Sequence, residues 1–309
     1  MSRSTISTFK LFEIYPDAES ARKYLESRLW EDGVRCPKCK SGERITARKG
    51  GFYRCNSCKL DFTVRTGTIF ERSHVPLHKW LYSMYLLVTA RKGISSMQLA
   101  KEIGITQKSA WFVLQRLREA CGNDHTLLKG IVEVDETYVG GLEKNKHMSK
   151  RVVGDRGVTP KTPVIAMRER KGRVKAFPIQ STGALSLEKA VKGNVELGST
   201  LHTDDYPAYD RLRKSYSHET VNHKNMEYVR GLVHINSTES VFAVLKRGLH
   251  GIYHHASKKH IARYVNEFTW RLNDGKCSRH TLQRLDSFVA VVTGCRITYD
   301  KLIADRQIA

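Results

Sequence analysis

The run Val132-Glu133-Val134-Asp135-Glu136-Thr137-Tyr138-Val139-Gly140-Gly141 decides how the chain is read. Apolar β-branched residues alternate with acids up to a glycine pair, the pattern of a buried strand that carries a carboxylate to its end. Side chains alternate faces along a strand, so Asp135 and Glu136 cannot both face one site, whereas Glu133 shares a face with Asp135. Asp135 is the first candidate site residue, and Glu133 is its rival on geometry.

Two more acidic stretches follow, Leu201-His202-Thr203-Asp204-Asp205-Tyr206-Pro207 and a helical run from Asn236 through Glu239 to Lys246. The same alternation separates Asp204 from Asp205 if the strand persists that far. At about 100° per residue, Glu239 and Lys246 fall within about 20° of each other, while Val241, Phe242, Val244, Leu245 and Leu249 fall on a different side. Such a helix can pack its apolar side inward and present one carboxylate and one ammonium to a common site. A solvated pair on an exposed face has the same pattern. Asn236 reads most simply as an N-cap, with a secondary active-site group as the alternative. His234 reads as a structural or DNA-contacting histidine, since Mg²⁺ prefers oxygen.

A formal charge of +22, from 53 basic against 31 acidic residues in 309, is too lopsided for an ordinary enzyme of small metabolites. Charge spread along the whole chain suits nucleic acid. The length allows two or three domains. No N-terminal stretch has the order of a signal peptide. The longest apolar patch, Trp80 to Ala90, is about half a membrane span. The expectation is a soluble, cytoplasmic protein with no membrane partner.

Cys36-Pro37-Lys38-Cys39 and Cys55-Asn56-Ser57-Cys58 are two knuckles at the spacing of one tetrahedral zinc site. Paired disulfides would require a secreted chain, and a redox dithiol would not be duplicated. A structural Zn²⁺ held by Cys36, Cys39, Cys55 and Cys58 is therefore expected. Cys121, Cys277 and Cys295 have no partner at metal spacing and read as ordinary thiols.

Five regions emerge: an N-terminal helical cap at 1–33, a zinc ribbon at 34–64, a helix-turn-helix region at 65–122, a main domain at 128–273 and a C-terminal extension at 274–309, expected to be short and helical. In the third region, Ser95 to Ile103, Gly104 and a Thr106-capped helix carrying Ala110, Val113, Leu114 and Leu117 fit two helices joined by a tight turn. The second helix would offer Gln107, Lys108 and Ser109 to a DNA groove, or the pair would be a plain helical hairpin. In the main domain, a long loop from Leu142 to Lys161 carries Lys144, Lys146, Lys150, Arg151, Arg156 and Lys161, a composition suited to phosphate contact. Strands flanking Arg170-Lys171-Gly172 form a hairpin. A helix near 186–192, a strand at 200–204, a helix near 207–214, a strand near 218–222 and a long helix from 236 follow. Periodicity alone leaves several topologies open for this α/β order.

Taken together, the zinc knuckles, the Asp135 segment with Gly140-Gly141, the Asp204 segment, Asn236-x-x-Glu239, Lys246-Arg247-Gly248, Gly251-x-Tyr253-His254 and Tyr264-x-x-Glu267-Phe268-x-x-Arg271-x-Asn273 resemble the zinc-ribbon group of DDE insertion-sequence transposases, the ISXO-type group. The resemblance implies a ribonuclease-H-like catalytic domain. It places the catalytic acids at Asp135, Asp204 and Glu239, with Lys246 contacting a DNA phosphate. It also implies two Mg²⁺ (or Mn²⁺) ions on the acids, about 4 Å apart, as phosphodiester transfer requires. Lys150, Arg151 and Arg247 join Gln107, Lys108 and Ser109 as expected DNA contacts. The implied activity is binding at terminal inverted repeats, cleavage there and attack of the 3′-hydroxyl on target DNA, with a homo-oligomer bringing two element ends together. A non-catalytic DNA-binding regulator would have no need of the four charged residues jointly. A metal-dependent nuclease on the same fold would need the same acids.

Overall fold

Helix boundaries in the first part of the chain follow from side chains that satisfy exposed backbone N–H groups. After α1 (Thr8–Ile14), helix α2 (Ala18–Leu29) starts in a capping box: Asp17 Oδ1 accepts the Ser20 N–H at 2.8 Å and Ser20 Oγ accepts the Asp17 N–H at 3.2 Å. Ala21, Tyr24 and Leu25 form its buried stripe. Three short antiparallel strands follow, β1 (Ile45–Arg48), β2 (Phe52–Cys55) and β3 (Asp61–Phe62). Their apolar cluster is small, with Cys36, Cys55 and Phe62 buried and Trp30 and Tyr53 packed against them. So little burial does not hold a fold by itself, which leaves the cysteines to do it.

The structure, a computed structural model, describes residues 5–122, 124–141, 147–150 and 161–304. The chain divides into two units, one combining the N-terminal part with 274–304 and the other holding 124–273. In the first, α3 (Leu77–Thr89) is buried along most of its length. α4 (Ser96–Ile103) ends on Gly104, whose φ of 62° is a left-handed conformation that glycine adopts without strain. Thr106 then accepts the Ser109 N–H at 3.2 Å and starts α5 (Gln107–Ala120).

The second unit is built on β4 (Ile131–Val139), β5 (Thr162–Glu169), β6 (Val174–Pro178), α6 (Ala184–Lys192), β7 (Thr200–Asp204), β8 (Ser217–Val221), α7 (Asn236–Gly248) and α8 (Ile261–Asn273). The sheet order is β6-β5-β4-β7-β8; β4, β5 and β6 are antiparallel neighbours, while β7 runs parallel to β4 and β8 parallel to β7. Both faces are covered. Val132, Val134, Ile165 and Met167 pack against Leu187, Val191, Tyr209 and Leu212 on one side. Val164, Ala166, Val174 and Ala176 meet Val241, Phe242, Leu245 and residues of α8 on the other. This five-stranded mixed sheet between helices is the ribonuclease-H-like fold that the resemblance implied.

The helix expected near 207–214 is a 3₁₀ helix over Pro207–Lys214, with Pro207 at its start. One local reading needs correction. Asn236 is the first residue of α7 and not its cap; that position belongs to Ile235, which offers no side-chain hydrogen bond. Residues beyond 274 are helical, as expected of the C-terminal extension. α9 (Thr281–Val289) and α10 (Tyr299–Ile303) belong to the first unit, where buried Arg284 donates to Val88 O at 2.5 Å and Tyr24 donates to Asp286 at 2.8 Å. Among the described residues, no helix is long and apolar enough to cross a membrane.

Candidate active site

The cysteine set is closed. All four sulfur atoms lie within 4.8 Å of one another, with Cys36–Cys58 at 3.5 Å and Cys39–Cys55 at 3.6 Å. The edge of a tetrahedron around zinc, with Zn–S of ~2.3 Å, is ~3.8 Å, and a disulfide would bring sulfurs to ~2.0 Å. The Cys55 thiol is pulled down to about 6, chiefly by the Cys58 backbone N–H. Four thiols at this spacing, one of them readily deprotonated, are the donor set of a structural zinc ribbon.

Two of the acids lie on adjacent interior strands of the sheet in the second unit, Asp135 on β4 and Asp204 at the end of β7. Ile131, Val132 and Glu133 pair with Thr200, Leu201 and His202, and continuing that parallel register puts Asp135 level with Asp204. Glu239 is exposed in the first turn of α7. Burial raises the Asp135 carboxyl to about 7, helped by the charge of Glu136 beside it and by those of Asp204 and Glu239; the Glu136 N–H, donating to Asp135 Oδ1 at 2.8 Å, opposes the rise. Asp204 Oδ1 accepts the Tyr206 N–H at 3.2 Å. Glu136 turns to the opposite face from Asp135, where its carboxylate takes a hydrogen bond from the buried Tyr209 hydroxyl. A partly buried carboxyl whose proton affinity is raised by burial and by neighbouring acids is an oxygen donor of the kind hard divalent cations take.

Glu133, the rival of Asp135, is fully buried and fully engaged. Its Oε1 accepts from Arg170 Nη2 at 2.9 Å, Arg170 Nε at 3.2 Å and Ser237 Oγ at 3.1 Å, and its Oε2 accepts the Ser237 N–H at 2.9 Å. A strand carboxylate thus serves the α7 N-terminus in place of a cap, where the helix dipole favours a negative charge. His202 also borders Arg170, at 3.4 Å, and burial followed by the Arg170 charge pushes its imidazole down. A buried acid on a strand requires a partner, so the sequence signals that Glu133 is paired. It carries no signal that picks Arg170 and Ser237.

Lys246 is exposed on α7 and lines a cleft of about 260 Å³ with Tyr138, Gly140, Gly141, His250, His254 and His255. Gly140 is required there: its φ is 153°, and a Cβ would approach Lys161 Cα to 3.2 Å. Arg247 is exposed beside Lys246. In the first unit Gln107 and Lys108 are exposed and Ser109 half-buried at the start of α5; Gln107 donates to Ser96 Oγ at 2.9 Å and the Lys108 ammonium sits 4.8 Å above the Tyr299 ring. Arg151, the side chain of Lys150 and most of the expected basic loop lie outside the described residues.

Residues 127–273 match the ISXO2-like transposase domain and residues 16–61 the transposase zinc-ribbon domain. A protein of Halobacterium salinarum, described as an uncharacterized protein in transposable element ISH50, is 31% identical over 267 residues, 81% of this chain and 89% of its own. Among solved structures, the HTLV-2 integrase catalytic core domain in complex with magnesium aligns over 49% of this chain and 89% of its own, at 15% identity and a TM-score of 0.29. A pre-cleavage Mos1 transpososome aligns over 68% and 78%, at 14% identity and a TM-score of 0.26. With the zinc knuckles, the sheet order and this kinship in agreement, the chain belongs to the zinc-ribbon, ISXO2-like family of transposases.

Proposed function

We propose that this protein is a DDE transposase that binds the terminal inverted repeats of an insertion sequence, cleaves at the element ends and joins the 3′-hydroxyl to target DNA. The observation that carries this reading is that Asp204, on the strand beside Asp135, and Glu239, on α7, both lie near enough for their charges to raise Asp135. Asp135, Asp204 and Glu239 would hold Mg²⁺ or Mn²⁺, a pair of which activates the attacking oxygen and stabilises the leaving one. The chain's own part is to keep three carboxylates on rigid elements and to bind the strand beside them. Lys246, seven residues along α7 from Glu239, stands about 10 Å away, at 1.5 Å rise per residue. That is about three nucleotides along a strand, at ~3.4 Å each. The cleft it lines adds three histidines and no acid, which suits a phosphate backbone.

Gln107, Lys108 and Ser109 would read the terminal repeat from α5, with Lys150, Arg151 and Arg247 on phosphates. A net charge of +22 supports broad contact with DNA. A homo-oligomer on DNA follows from the need to pair two element ends.

The test is a gel assay with a labelled terminal-repeat duplex and a target plasmid, in Mg²⁺ or EDTA. Joined product should require metal, and Asp135→Asn, Asp204→Asn and Glu239→Gln should each reduce it by roughly 10²–10³-fold or more, the scale of removing a preorganised electrostatic group. Metal-independent binding without cleavage would leave a DNA-binding regulator. Cleavage without joining would leave a nuclease.

A further inference from the structure

One buried polar network touches all three acid-bearing segments, one or two residues before each acid. Glu133 precedes Asp135 by two positions on β4, His202 precedes Asp204 by two on β7, and Ser237 and Thr238 immediately precede Glu239 on α7. Glu133 binds Ser237 through both carboxylate oxygens, and its carbonyl accepts from Thr238 Oγ1 at 3.1 Å. Arg170, just beyond β5, joins Glu133 to Leu232 O at 2.5 Å and to His234 O at 3.4 Å, and lies 3.4 Å from His202 Nδ1. Arg168 adds bonds to Ser237 O at 3.0 Å and Ser240 Oγ at 3.1 Å.

We infer that Glu133 and Arg170 are positioning residues, which dock the first turn of α7 on β4 and β7 and so set the separation of Glu239 from Asp135 and Asp204. The inference rests on the transposase reading above. Glu133 is not itself available as a metal ligand, because both oxygens are occupied by donors from Arg170 and Ser237. Apolar residues could bind a helix to a sheet at least as tightly as a buried ion pair does. Directional bonds differ in fixing one register. That matters here because Asp135, Asp204 and Glu239 repel one another, so packing alone would let the exposed end of α7 relax away from the strands. Mg²⁺ tolerates little departure from octahedral geometry, so a small drift of Glu239 would weaken its site.

Glu133→Gln retains the shape but removes the charge that pairs with Arg170. Mn²⁺ titrated calorimetrically into the zinc-loaded full chain should bind about 10- to 100-fold more weakly, the usual cost of disturbing a ligand's support. Joining at saturating DNA should fall with it, and terminal-repeat affinity should stay within about twofold, because no DNA contact is touched. Ser237→Ala, a milder change, should weaken Mn²⁺ binding several-fold in the same direction, and it carries the test if Glu133→Gln fails to fold. Unchanged Mn²⁺ affinity in the folded variants overturns the inference, even if thermal stability or activity drops, since that is the outcome of a merely structural network. Full joining activity in Asp135→Asn would instead overturn the transposase reading on which it stands.

Discussion

The four cysteines and the three acids proposed to hold Mg²⁺ or Mn²⁺ are assembled in opposite ways. Cys36, Cys39, Cys55 and Cys58 come from two tight knuckles close in sequence, and their sulfurs already meet within 4.8 Å. Asp135, Asp204 and Glu239 come from two strands and a helix far apart in the chain, and burial, with the charges of Glu136, Asp204 and Glu239 added, raises Asp135 to about 7. The first set stabilises a small domain whose own apolar core is slight. The second is held by a domain with an apolar core on each side of its sheet. A closed site contributes folding energy, whereas an open one draws on the stability of its scaffold.

The largest effect that would break this contrast is on the ribbon. Removing zinc with a strong chelator, or Cys36→Ser, should open residues 34–64 to protease while 124–273 stays resistant, because ~10 kcal/mol or more of metal binding is coupled to folding in such modules. A ribbon that stays resistant without metal would mean that its packing suffices.

The acids should respond in the opposite sense. Asp135 has a folded-state value of about 7 against an ordinary 3.8, so the folded chain holds its proton more tightly and loses stability as pH rises from about 4 to 7. In the zinc-loaded chain without added Mg²⁺ or Mn²⁺, Asp135→Asn should therefore unfold at a higher denaturant concentration than the parent at pH 8, a gain of up to ~2–4 kcal/mol for a shift of this size. The difference should shrink towards pH 4. A variant less stable than the parent at pH 8 would show that the carboxylate is welcome where it sits.

The smallest effect sharpens what holds the far end of α7. A Cβ at Gly248 would fall 2.1 Å from Phe268 Cζ, and Phe268 is buried on α8. Gly248→Ala should cost ~1–3 kcal/mol, read as a lower urea midpoint with unchanged slope. No loss of stability would mean that α7 and α8 can separate freely, and the scaffold would be looser than its packing implies.

Much of this was legible in the linear chain because its signals are local. The knuckle spacing specifies a tetrahedral thiolate set, and the alternation of Val132, Glu133, Val134 and Asp135 specifies a strand with two acids on one face. The apolar stripe of α7 is likewise visible: Val241, Phe242 and Leu245 are buried, as is Leu249 just beyond the helix, Val244 is half-buried, and Glu239 and Lys246 are exposed. Gly104 and Thr106 mark the turn between α4 and α5 for equally local reasons. Where partners are remote, the sequence is silent. It could not separate Glu133 from Asp135, two acids on the same face, because their difference lies in which part of α7 covers each. Nor could it show that Ile235 leaves the start of α7 uncapped and that a strand carboxylate takes over, or that α9 belongs to the first unit through Arg284 and Asp286. Residue type and spacing determined the elements and their donors. Only the tertiary structure decided which carboxylate is neutralised and which is left to repel its neighbours, because that choice depends on groups brought together across more than a hundred residues.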